Sequence, residues 1–236
     1  MKLSILYFKL LFSSTTRNVP ALFFTLIFPP LMLLLFANHW ENSNPLGAVV
    51  IFFNYSVQTV ALMLLGMGVS QEKNSDWAKY LRSLPVGLKP MIFGRLLHTL
   101  ALSSINLVTL ATVAIFILGL PLNFSNFGIL AFVALLGGIP MALLGMTIGY
   151  IANPDSSRSI FTLLNLLLLF GSFSLPNEGV FKYLRELVPT YQWAKISFTY
   201  LEQNAFSITP ILWLCGLSCF LIFAFQRTYS KNLKSN

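Results

Sequence analysis

Six apolar runs, at about residues 20–38, 48–70, 96–120, 127–152, 160–175 and 208–225, contain no Asp, Glu, Lys or Arg in their middle. Runs of this length suit a hydrocarbon core of ~30 Å, which a helix crosses in ~20 residues. Lipid cannot satisfy backbone polar groups, so each run is predicted to be a helix, which bonds its own. The expected fold class is all-α: a polytopic membrane protein with six transmembrane helices, forming one domain over residues 1–236. Composition agrees, since 56% hydrophobic and 9% charged residues in a chain of 236 carry more apolar surface than a soluble fold can hide.

The charges report orientation. A net charge of +8 can signal nucleic acid, but the basic residues here come in small groups between apolar runs, so no nucleic-acid partner is expected. Lys2, Lys9, Arg17, Lys73, Lys79, Arg82, Lys89, Arg95, Arg158, Arg227, Lys231 and Lys234 fall on one side of the alternating runs. Only Lys182, Arg185 and Lys195 fall on the other. Positive charge collects on the cytoplasmic side, which puts both termini, the 71–95 segment and the 153–159 connector in the cytoplasm.

Outside the runs, residues 2–17 read as a basic amphipathic helix lying in the membrane interface, with Lys2, Lys9, Ser13 and Thr16 to one side. In the first run Pro29-Pro30 should kink the helix and free carbonyls. In the fourth, the spacing Gly145-xxx-Gly149 predicts close approach of another helix. The fifth run is short for a crossing and needs a supplement. Residues 176–207 are expected to provide it as an outward-facing helical hairpin partly sunk in the outer leaflet. Val180, Leu184, Leu187 and Val188 would form its apolar stripe, Glu178, Lys182 and Glu186 a charge ladder, and Tyr191, Trp193 and Tyr200 its interfacial aromatics. After the last run the basic tail is expected to fray.

Little catalytic chemistry is offered. Cys215 and Cys219 stand one helical turn apart without a histidine or acid nearby, which disfavours zinc. Ser103 and His98 fall on different sides of one helix, so no nucleophile–base pair forms locally. There is no GxxxxGK[ST] loop for ATP. Catalytic and metal residues are therefore expected to be absent. Gln58, Asn106 and Asn165 are the candidates for a substrate path; the plainer alternative is hydrogen bonding between helices.

One charged stretch stands between two apolar runs: Gln71 to Arg95, QEKNSDWAKYLRSLPVGLKPMIFGR. Asn74 or Ser75 can cap a helix whose Trp77, Tyr80, Leu81 and Leu84 share one face, and Pro85 with Gly87 stops it. It is either an amphipathic helix on the bilayer surface or a docking helix whose aromatic face fills a groove on a partner.

Taken in order, these features resemble the membrane (permease) subunit of a bacterial ABC exporter of the type-2 family. The matching residues are Arg17-Asn18-Val19-Pro20, Ile27-Phe28-Pro29, Gln71-Glu72-Lys73, the stretch Tyr80 to Val86, and Gly94-Arg95, with the proline-bearing segment Ser172 to Tyr191 before the last run. Ser75-Asp76-Trp77 departs from the pattern where a glycine is common.

The resemblance implies a half-transporter in the bacterial plasma membrane that pairs with a second copy or a sister permease. Separate ATPase subunits would bind ATP and Mg, so this chain itself needs no cofactor. Glu72, Trp77, Lys79, Tyr80, Leu81, Arg82 and Leu84 would form the coupling helix that docks on an ATPase subunit. The cargo would be hydrophobic or amphipathic: a drug, an antimicrobial peptide or a lipid-like compound. A non-transporting membrane sensor or scaffold would use the same helix. A membrane hydrolase lacks its residues.

Overall fold

The structure, a computed structural model, describes residues 2–37, 45–73, 75–76, 89–173 and 178–234. Nine helices are present among these residues. Helix α1 is Lys2–Arg17. Helix α2 joins Val19–Leu22, a π-helical turn Phe23–Ile27 and Phe28–Ala37. Helix α3 joins Pro45–Gln58, a π turn Thr59–Leu64 and Leu65–Glu72, and α4 joins Lys89–Thr112 and a π turn Val113–Ile117. Then follow α5 (Phe124–Ile151), α6 (Pro154–Phe173), α7 (Gly179–Leu187), α8 (Pro189–Gln203) and α9 (Ile208–Lys234).

Among the described residues, four helices are long and apolar enough to cross a membrane: Leu46–Glu72, Pro90–Ile117, Phe124–Ile151 and Ile208–Tyr229. They match the second, third, fourth and sixth apolar runs. Helix α3 is the axis of the bundle. Of its most apolar window 89% is buried, against 44% for α4 and α5 and 22% for α9, and it touches α2, α4, α5, α6 and α8. The expected glycine pair explains one of these contacts. A Cβ on Gly145 would lie 2.8 Å from the Ala61 carbonyl and 2.9 Å from that of Leu62, so α5 can approach the α3 backbone only without a side chain there.

In α2 a π-helical turn stands just before Pro29 and Pro30. Neither has an N–H, and their rings would crowd the carbonyls one turn earlier. The backbone widens just before them into the π turn, closed by Phe28 N–H on the Phe23 carbonyl.

Three expectations are corrected. The connector 153–159 is mostly helix: Pro154 opens α6, Asp155 lies in its first turn and Ser157 Oγ donates to the Pro154 carbonyl, a start favoured by proline's fixed φ and by the helix dipole. Helix α6 thereby reaches 20 residues, ~30 Å at 1.5 Å per residue, of which the first six, PDSSRS, are polar. The hairpin is not uniformly at the surface. Helix α7 has no buried residue, but α8 folds into the bundle, where Trp193 is fully buried with its Nε1 donating to the Val133 carbonyl at 3.1 Å and Tyr200 is buried too. The last helix runs beyond the expected end of the sixth run at Phe225: α9 continues to Lys234, and Phe225 and Tyr229, one turn apart, both pack on Tyr150.

Candidate functional site

The charged ends of α3 and α4 meet. Arg95 Nη2 donates to Glu72 Oε2 at 2.6 Å, and the Tyr7 hydroxyl of α1 donates to the same oxygen at 2.9 Å. The Arg95 guanidinium also lies 5.8 Å from the centre of the Tyr7 ring. Local sequence makes this possible. Helix α1 turns Ser4, Tyr7 and Thr15 inward on one stripe, and α4 offers Gly94 opposite them. A Cβ on Gly94 would stand 2.8 Å from the Ser4 carbonyl and 2.9 Å from the Tyr7 ring, so the G-R pair combines a backbone contact with a cation one residue later. Burial pushes the Tyr7 phenol well above its ordinary range, and the neighbouring Glu72 carboxylate adds to this against the opposing effect of Arg95. The phenol therefore stays a donor at physiological pH.

Further along the same contact, Thr15 Oγ1 lies 3.1 Å from His98 Nε2. The Thr15 hydroxyl already donates to the Leu11 carbonyl, so the His98 Nε2–H is the donor in this pair. Phe12 meets the imidazole edge-on. His98 is thus held as a packing and hydrogen-bonding group between α1 and α4.

The residues flanking Glu72 reach a different helix, α5. Ser70 Oγ donates to the Ala152 carbonyl at 2.9 Å, and Lys73 Nζ donates to the carbonyls of Tyr150 and Ala152 at 2.9 and 2.7 Å. The last carbonyls of a helix lack partners within it and carry its negative dipole end. A cation there both caps and neutralises α5. Burial alone lowers the Lys73 pKa.

A second polar seam joins α3 to α6. Gln58 Nε2 donates to Asn165 Oδ1 at 2.8 Å and to its carbonyl at 3.0 Å, while Asn165 Nδ2 reaches Thr59 Oγ1 at 3.4 Å. Gln58 and Thr59 stand where α3 passes into its π turn, a geometry frequent at functional sites. Asn106 is separate: it is fully buried on α4, with neither its amide nitrogen nor its oxygen bonded. Thr99 and Ser103, on the same stripe of α4, also hold unbonded hydroxyls.

Of the residues expected to dock a partner, Glu72 is placed as described. Trp77, Lys79, Tyr80, Leu81, Arg82 and Leu84 lie outside the described residues. Of the expected path residues, the structure brings Gln58 and Asn165 together and leaves Asn106 apart. Sequence reasoning missed the roles of Tyr7, Arg95 and Lys73. The signal for one was available: Glu72 and Arg95 are opposite charges at adjoining ends of two consecutive apolar runs. Among the described residues no group of three or more His, Cys, Asp or Glu could hold a metal.

Among the described residues, four apolar helices long enough to span, α3 central among them, tied at one end by charged groups, define a multi-pass α-helical membrane domain. The chain belongs to the ABC-2 type transporter family, whose model matches residues 5–200. It is the non-catalytic membrane component of such a transporter. No curated protein matches it.

Proposed function

We propose that this chain is the permease half of an ATP-driven exporter that moves a hydrophobic or amphipathic compound out of a bacterial cell. Family membership over residues 5–200 carries this reading. In it, α2 and α6 also cross, giving six spans with both termini in the cytoplasm, in keeping with the lysine and arginine asymmetry. A second copy or a sister permease completes the path, and an ATPase subunit binds the segment between α3 and α4. Trp77, Tyr80, Leu81 and Leu84 supply the grip, ~1.5–3 kcal/mol for each large apolar side chain before ordering costs. Lys79 and Arg82 set register at the rim, with Glu72 at the entry.

The geometry supports a mechanical role for this segment. Its two flanks, α3 at Glu72 and α4 at Arg95, are tied to each other and to α1, so a push delivered between them moves three helices together. The buried amides Gln58, Asn165 and Asn106 are the candidates to meet polar parts of the cargo as the helices part. The test is Tyr80→Ala with Leu84→Ala, assayed by co-purification with the ATPase from mild detergent and by transport in reconstituted vesicles. The variant should enter the membrane normally and lose both. Normal assembly and transport would remove the docking assignment.

A further inference from the structure

Among the described residues, helix α1 packs on protein mainly through one face. Successive residues turn by about 100°, so Ser4, Tyr7, Leu11 and Thr15 share the face packed on α4. Leu3, Leu6 and Leu10, at i, i+3 and i+7, form a second stripe that stays open among the described residues: they are 41%, 55% and 51% exposed. Lys2 and Lys9 are exposed beside that stripe, Arg17 is exposed at its far end, and α1 contains no acidic residue. An uncovered leucine stripe edged by cations, on a chain that spans a membrane, fits the boundary between acyl chains and negatively charged headgroups.

We propose that α1 is a sensor of anionic phospholipid: its leucines enter the acyl boundary, its cations bind headgroup phosphates, and the bound state is relayed through Tyr7 to Glu72 and Arg95. Leu6 and Tyr7 are adjacent in sequence and face lipid and protein respectively. Seating the first therefore fixes the second. Since the Tyr7 hydroxyl bonds the oxygen that also holds Arg95, anionic lipid under α1 steadies the paired ends of α3 and α4. Zwitterionic lipid leaves them looser. This inference rests on the membrane assignment alone and needs neither the ATPase nor the cargo, so it can fail while the exporter reading stands.

The experiment compares backbone hydrogen exchange of the full chain in nanodiscs of phosphatidylcholine alone and of phosphatidylcholine mixed with phosphatidylglycerol. Each cation near an anionic surface is worth about a fivefold change in partition. Exchange in residues 2–17 should slow by roughly tenfold or more in the anionic discs, and residues 89–96 should slow with it. Replacing Lys2, Lys9 and Arg17 by Gln should abolish the lipid difference, as should high salt, which screens surface charge. The Tyr7→Phe variant should keep the lipid response of α1 and lose that of residues 89–96. Equal exchange of α1 in both lipids would overturn the sensor, and an undiminished response at 89–96 in Tyr7→Phe would overturn the relay.

Discussion

Replacing Glu72 by Gln keeps the shape of the side chain and removes its charge, leaving Arg95 buried without a counter-ion. The two partners are unequally shielded: the Arg95 side chain is 9% exposed and that of Glu72 31%. Stranding one partner of a buried pair costs ~3–5 kcal/mol. Partial solvation of Glu72 and the retained amide acceptor place Glu72→Gln near the lower end, at ~2–3 kcal/mol. In a domain of this size that is a fall in Tm of roughly 5–10 °C. Converting Arg95 to Met as well removes the stranded charge, keeps an apolar stem, and should recover much of the loss. Thermal unfolding of the four proteins in one detergent forms a double-mutant cycle, with an expected coupling of ~1.5–2.5 kcal/mol. If the double variant is destabilised by the sum of the two single losses, the pair is not coupled and the clamp does not exist in the form described.

Two further outcomes follow from the same kind of accounting. Asn106→Leu removes a buried amide that has no partner, so it should raise stability by ~1–3 kcal/mol, read as a higher Tm; a lower Tm would mean that the amide is satisfied in the native protein. Burial favours the neutral form of Glu186, but the hydrogen bonds from Gln192 and Lys195, with the charges of Lys195 and Arg185, outweigh it and hold its carboxyl below the usual range. A carboxylate depressed on folding contributes stability that is complete above its unfolded value of ~4.3 and is lost as pH falls through the lower folded value. The native protein should therefore exceed Glu186→Gln in thermal stability at neutral pH, and the gap should close in acid; a gap constant with pH would refute the assignment.

Much of the bundle was legible because its signals are local. The uncharged runs locate α3 and α5 to within a few residues and the apolar cores of α4 and α9, whose ends reach seven and nine residues beyond them; Pro189 separates α7 from α8, and Gly145 marks the contact with α3. Where the reading failed, two signals competed. The polar letters of 153–159 looked like a connector, yet proline at the first helical position and aspartate in the first turn are also how a helix begins. Trp193 and Tyr200 have the amphipathic character of interface residues, but the Val133 carbonyl on α5 gives the indole N–H a partner inside the bundle, which no local pattern discloses. Tyr7 was hidden for a related reason: its value comes from an acceptor 65 positions away, and a tyrosine in an amphipathic helix carries no mark of its partner.

Ser70, Glu72 and Lys73 divide their attachments between α1 with α4 and the end of α5 within about one turn of α3. One residue inserted or deleted among them would rotate the later groups by about 100° and break the joint fit to these neighbours. Side chains in this stretch can be exchanged pairwise, but their count is fixed. The end of α3 works as a ruler whose graduations are residues, and length variation among related chains should be accommodated elsewhere.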